Sequence, residues 1–200
     1  MPKIFQKARD PISSYTHFIG AVLSLLGLVA MCVHLVSQQD WEMKAAVSSI
    51  LFCVSLIMLY CTSGIYHFSM SSPKVLQILR KLDHSMIYVL IAGSYSPLLL
   101  KLLPHPNNLI FTASMWGIAV AGILMKLCWI NAPRWLGTSL YILMVWAILV
   151  DVRALAAFPM QGILLLVAGG ILYTIGGVIY MIKRPNPTPE FGFHELFHLF

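Results

Sequence analysis

Long apolar runs separated by short polar segments are the dominant pattern along this chain. Each run approaches the roughly 20 residues with which an α-helix crosses the hydrocarbon core of a bilayer. The runs predict six full membrane-spanning helices and the beginning of a seventh, at about residues 17–37, 45–68, 84–103, 109–129, 135–152, 161–182 and 191–200. The expected fold is therefore an all-α integral membrane protein, a seven-transmembrane helix bundle that forms a single domain over residues 1–200.

The segment before the third span has a helix start of its own. Ser72 suits an N-cap, and Pro73 suits the first helical position. The following residues combine an apolar stripe with a basic face that contains Lys74, Arg80 and Lys81. We expect a short amphipathic segment at the membrane surface that leads into the third span.

The seventh span is short. Its ten residues would rise only ~15 Å as a helix, which is about half of the hydrocarbon thickness. The pattern therefore predicts a truncated seventh helix and a natural protein longer than this chain. The intact mass of the native gene product tests this expectation.

The composition excludes a soluble globular domain. Hydrophobic residues make up 59% of the chain and charged residues only 10%, with a mean hydropathy of +0.83. Such values are typical of a protein whose solvent is lipid, so the bilayer is an expected partner and nucleic acid is not.

The basic residues indicate the orientation in the membrane. If the predicted spans alternate in direction, ten Lys and Arg residues fall on the side of the N-terminus. The opposite side has three, which are Lys44, Lys101 and Arg153. Because cytoplasmic loops have the excess of Lys and Arg, the N-terminus is expected in the cytoplasm.

Two histidines four residues apart, His194 and His198, lie in the seventh span. On a helix they share one face, which is the spacing that a metal ion needs for two imidazoles. In the expected topology, His67 at the end of the second span and Asp83 at the start of the third lie at the same cytoplasmic depth. Ionisable groups within membrane spans are costly and mark functional sites. Three imidazoles with an open fourth position form a catalytic zinc site, so we expect Zn²⁺ ligated by His67, His194 and His198.

Two further side chains suit roles beside such a metal. Asp83 would hold the water or act as its base, and Ser63, one helical turn before His67, would donate a hydrogen bond to a developing oxyanion. Simpler interpretations stay open. Asp83 also suits a helix N-terminus, Ser63 can bond back to its own helix, and the three histidines can be buried imidazoles bonded to the backbone.

Three motifs in order show a resemblance to a known family. They are Ser63-Gly-Ile-Tyr-His67, Leu82-Asp83-His84-Ser85 and His194-Glu-Leu-Phe-His198, and Asp10-Pro-Ile-Ser-Ser-Tyr-Thr-His17-Phe-Ile-Gly-Ala precedes them. Essentially the whole chain resembles the hemolysin III proteins and the wider progestin and adipoQ receptor family. The resemblance implies a seven-helix fold with a cytoplasmic N-terminus, here in a bacterial plasma membrane.

The resemblance also implies a zinc ion at the same three histidines, with Asp83 reaching the metal through water. The chain departs from the family in the first motif. The family usually has Glu and Asn where this chain has Asp10 and Ser13. We therefore expect a different polar network around the first motif.

Several functions suit this site, and the first two below are those that the family resemblance suggests. A zinc-dependent hydrolase of lipid amides would use Asp83 to deprotonate water and Ser63 to stabilise the oxyanion. A membrane sensor with a structural zinc would use the same ligands without turnover, and the hemolysin name suggests a membrane-permeabilising protein. His194-Glu195-x-x-His198 also matches the zincin signature, in which Glu195 would be the base of an intramembrane protease. Such proteases usually take their third ligand downstream. The expected partners are the bilayer and a lipid substrate or ligand, and the sequence indicates no particular protein partner.

Overall fold

A computed structural model of the protein describes residues 1–37, 42–149, 155–156, 158–188 and 191–200. Its helices are α1 (Pro11–Ser37), α2 (Met43–Phe68), α3 (Pro73–Leu102), α4 (Asn107–Cys128), α5 (Arg134–Val145), α6 (Met160–Ile182) and α7 (Phe193–Phe197). The residues in those ranges form no β-strand. Helices α1 to α4 and α6 are long and apolar enough to cross a membrane. The predicted all-α membrane fold is confirmed.

Two helices extend further than the apolar runs alone indicated. Helix α1 begins at Pro11 instead of residue 17, because proline suits the first helical position and the Asp10 carbonyl accepts the N–H of Ser14. The expected surface segment is the first part of one 30-residue helix, α3, which continues to Leu102. The basic face before the third span is therefore continuous with the span itself.

The last part of the chain has two short helices. Helix α5 has 12 residues and ends at Val145, before the expected end of the fifth span at residue 152. At about 1.5 Å per residue it is shorter than the hydrocarbon core. Helix α7 has five residues within the expected 191–200. Residues 150–152 of the expected fifth span and Arg153, which entered the charge count, lie outside the described residues.

The chain folds as two units, residues 1–130 and residues 131–200. In the first unit, α2 packs against α1 and α3, and α3 packs against α4. Small residues permit close approach of these helices. A Cβ atom at Gly122 would collide with the ring of Tyr88, and Tyr88 is fully buried. The helices of this unit therefore interlock tightly where they cross.

The residues before α1 are attached to the same unit by an aromatic cluster. Phe5 lies in a short 3₁₀ helix, and its ring centroid is 5.2 Å from that of Tyr15, 5.8 Å from Phe18 and 6.0 Å from Phe68. This cluster holds the start of α1 next to the end of α2. It thereby places Asp10 beside the last turn of α2.

In the second unit, α6 packs against both α5 and α7. Glycines of α6 face its neighbours: a Cβ atom at Gly177 would lie 3.0 Å from Thr138, and one at Gly176 would lie 2.7 Å from Phe200. The indole N–H of Trp146 donates to the Thr174 hydroxyl at 2.9 Å. The short α7 is thus supported by the much longer α6.

Candidate metal centre

The first unit contains His67, one of the three predicted metal ligands. It lies in the last turn of α2, and its side chain is only 1% exposed. Its Nδ1 atom is 2.9 Å from Oδ2 of Asp10. The backbone N–H of Asp10 also donates to the carbonyl oxygen of His67 at 3.0 Å. His67 is therefore joined to Asp10 through both its side chain and its main chain.

Arg9 stabilises the carboxylate that contacts His67. Its Nε and Nη2 atoms donate to the same oxygen of Asp10 at 2.9 and 2.8 Å. Its guanidinium lies 4.1 Å from the ring centroid of Tyr66, which is a cation–π contact. Partial burial alone would raise the pKa of Asp10, but the hydrogen bonds from His67 and Arg9 and their charges lower it from 3.8 to about 2. The Asp10 carboxyl is therefore ionised at neutral pH.

The structure brings two other predicted site residues together in the same unit. Ser63 is buried one turn before His67, and its hydroxyl is hydrogen bonded to the Asp83 carboxylate on α3. The side chain of Asp83 is 14% exposed and lies 3.5 Å from Nδ1 of His84. His84 Nδ1 is also 2.9 Å from the carbonyl oxygen of Arg80. The Ser63 hydroxyl therefore has a hydrogen-bond partner outside its own helix.

His17 belongs to the same polar region. Its Nδ1 atom lies 2.7 Å from the carbonyl oxygen of Ser13, one turn earlier in α1, and its ring centroid is 5.8 Å from that of His67. The imidazole is buried. His17 thus bonds to its own helix through Nδ1 and lies next to His67 of α2.

The second unit contains the other two predicted ligands. His194 and His198 share one face of the chain at α7, with ring centroids 4.4 Å apart and both side chains partly buried. Tyr180 of α6 supports this segment, with its ring centroid 6.2 Å from His194 and 4.9 Å from Phe197. The guanidinium of Arg134 lies 5.1 Å from the Tyr180 ring centroid, which is a cation–π contact. The spacing of the two imidazoles is the one expected from the sequence.

Glu195 has a structural role at the start of α7. Its Oε2 atom accepts the backbone N–H of Gly192 at 2.9 Å. This contact satisfies an N–H group that a helix N-terminus otherwise leaves without a partner. The carboxylate that a zincin protease would use as its base is therefore engaged as a cap.

The donor set suits zinc. Imidazole nitrogens are common zinc ligands, and a ligating histidine usually donates its other ring N–H to a carboxylate or carbonyl. The Nδ1 of His67 has such a carboxylate partner in Asp10, so Nε2 is the atom that would ligate a metal. No sequence pattern predicted this contact, although Asp10 departs from the family in the first motif. The roles of Arg9 and Tyr180 had no signal in the sequence either.

Comparison with known proteins agrees with the motifs. A family model described as "Haemolysin-III related" matches residues 5–200. The chain belongs to the hemolysin III family. A Bacillus cereus protein named "Hemolysin-3" is 34% identical over all of this chain and 89% of its own length. A "Hemolysin-3 homolog" of Bacillus subtilis strain 168 is 35% identical over 90% of this chain and 84% of its own length. The hemolysin III resemblance predicted from the motifs is confirmed.

Proposed function

We propose that this hemolysin III protein binds zinc through His67, His194 and His198 and hydrolyses an amide bond of a membrane lipid. One observation carries the proposal: the buried imidazole of His67, with Nδ1 bonded to the Asp10 carboxylate, lies one helical turn from Ser63. Ser63 is in turn hydrogen bonded to Asp83. This group combines a metal ligand, a base and a hydroxyl donor. Those are the parts that amide hydrolysis requires.

The residues of the first unit would divide the chemistry. A bound zinc ion would polarise the amide carbonyl and make a water molecule more acidic. Asp83 would take a proton from the attacking water as the oxygen bonds to the carbonyl carbon. The Ser63 hydroxyl would turn from Asp83 to the developing oxyanion. When the C–N bond breaks, Asp83 would return its proton to the leaving nitrogen.

The surroundings favour a substrate that arrives from the bilayer. Helices α1 and α2 have many exposed apolar side chains, including Val22, Leu26 and Val54. Such surfaces suit contact with acyl chains in a protein whose helices cross a membrane. We place the zinc on the cytoplasmic side, following the Lys and Arg count, and the host membrane is the bacterial plasma membrane.

The first readout is metal content. Elemental mass spectrometry on detergent-purified protein should find about one zinc per chain in the wild type and a large loss in His67→Ala. The matched control is His34→Ala, because His34 is an exposed histidine on α1 that the proposal leaves out. A folded wild type without zinc would contradict the proposal.

The second readout of the same experiment is turnover of a synthetic long-chain N-acyl amine in micelles. Asp83→Asn should keep its zinc and lose turnover, while Ser63→Ala should lose about a hundredfold in kcat, as expected for one oxyanion donor. Chelation should abolish turnover, and added zinc should restore it. Zinc-loaded wild type without turnover on a panel of acyl lengths would reject the hydrolase.

A membrane sensor with a structural zinc is the second candidate. The contact between Ser63 and Asp83 favours it, because this hydrogen bond already satisfies the proposed base. That function predicts bound zinc, no turnover, and a lower melting temperature after chelation. The name of the Bacillus cereus relative suggests a third test, since a permeabilising protein would release dye from liposomes even without metal.

A further inference from the structure

We propose that Asp10 is the positioning residue of His67 and fixes the neutral imidazole in the tautomer with hydrogen on Nδ1. This role rests on the proposed function, because the tautomer matters for zinc binding. The tautomer itself can be measured in the metal-free protein. Asp10 and His67 are in contact although they are 57 positions apart in the sequence. It makes the start of α1 a determinant of the ligand on α2.

The chemistry of the pair determines which nitrogen has the hydrogen. An ionised carboxylate only accepts hydrogen bonds, so the contact of 2.9 Å between Oδ2 of Asp10 and Nδ1 of His67 requires Nδ1 to be the donor. In the neutral ring, Nε2 then has the lone pair. This is the tautomer that can ligate a metal through Nε2.

The backbone keeps Asp10 in register with His67. Its N–H donates to the His67 carbonyl oxygen at 3.0 Å, and its own carbonyl accepts the N–H of Ser14 at 3.0 Å. Asp10 therefore caps the end of α2 and begins α1 at the same time. These two contacts fix the main chain of Asp10 next to the last turn of α2, within reach of the His67 imidazole.

Arg9 provides the second restraint. It donates twice to the oxygen that accepts from His67, and it stacks on Tyr66, the neighbour of His67 in the chain. The guanidinium thus orients the carboxylate and reduces the negative charge that His67 experiences. Arg9→Gln should consequently have a smaller effect on the tautomer than removal of the carboxylate.

An ordinary structural ion pair is the competing explanation, and Glu42 provides a matched control. Glu42 immediately precedes α2, is exposed, and accepts the N–H of Ala46 through its carbonyl, as Asp10 does for Ser14 before α1. Removal of either acid changes the start of a long helix. Of these two acids, Asp10 is the one that contacts the imidazole of a predicted ligand.

The experiment measures the tautomer directly by nitrogen NMR of metal-free protein labelled with ¹⁵N-histidine, in micelles at alkaline pH, where imidazoles are neutral. His67→Gln assigns the signal. We expect Nδ1–H in the wild type and in Glu42→Ala, and a predominantly Nε2–H or mixed population in Asp10→Ala. Asp10→Asn, which keeps the side-chain size and the backbone contacts, serves if Asp10→Ala does not fold, and should give an intermediate shift.

Zinc affinity, measured by competition with a chelator, is the second readout. Asp10→Ala should bind zinc about 10–100-fold more weakly, the usual cost of losing a carboxylate behind a ligating histidine. Nε2–H in the wild type, or an unchanged tautomer in both Asp10 variants, would overturn the inference even if zinc binds. A wild type that binds no zinc but shows the expected tautomer shift would refute the proposed function and support the role of Asp10.

Discussion

The predicted ligands stand in two contrasting environments. His67 ends a 26-residue helix, is almost completely buried, and is bonded to a carboxylate from a distant part of the chain. His194 lies in a five-residue helix and His198 directly follows it; both are partly buried, next to aromatic rings and a local cap. A short helix is marginal without tertiary contacts. One imidazole is therefore held at the end of a long helix, whereas the other two depend on the packing of a short one.

The largest expected effect concerns His67, the buried imidazole of this comparison. Without metal, His67→Ala should destabilise the protein by about 1–3 kcal/mol, because it removes a buried donor from Asp10 and leaves a cavity. His194→Ala should cost less, since its imidazole is partly exposed. Thermal melts of the chelator-treated proteins in one detergent measure the difference.

The control for that melt is His34→Ala, which should match the wild type. Equal destabilisation by His67→Ala and His194→Ala would show that the two environments are energetically alike. The contrast drawn from burial and hydrogen bonding would then be wrong.

The next effect concerns the support of α7. Tyr180→Ala removes the ring that contacts His194 and Phe197, so local opening of α7 should become easier. Hydrogen exchange at the amides of residues 196–200 should accelerate about tenfold, corresponding to about 1.4 kcal/mol. Exchange followed by mass spectrometry on the metal-free protein measures it.

Tyr180→Phe is the matched variant, because it keeps the ring and removes only the hydroxyl. It should exchange nearly as slowly as the wild type. If both variants accelerate exchange equally, the hydroxyl and not the ring supports α7.

The same contrast explains what the sequence could predict. The five long spans followed from the lengths of the apolar runs, and the expected topology placed the end of the second span and the start of the third, which contain Ser63 and Asp83, at one membrane depth. The spacing of His194 and His198 required only helical periodicity. These features depend on local pattern and topology, which sequence periodicity reports well.

The contacts that the sequence did not predict are specific and long-range. Asp10 meets His67 because an aromatic cluster holds the segment before α1 against α2, and no periodicity encodes that approach. Tyr180 looked like any apolar residue of its span. Helix α5 ends at Val145 within a continuous apolar run, so hydropathy gave no signal for its end.

The smallest expected effect concerns the cap that Glu195 provides at the start of α7. Glu195→Gln keeps an oxygen that can accept the Gly192 N–H, so it should change the free energy of unfolding by only a few tenths of a kcal/mol. Glu195→Ala removes this acceptor and should lower the free energy of unfolding by about 0.5–1 kcal/mol. Neither should change zinc content or lipid-amide turnover more than about twofold. If Glu195 were the base of a protease, Glu195→Gln would instead lower peptide turnover at least about a hundredfold. Turnover measured together with the melting temperature therefore distinguishes a cap from a base.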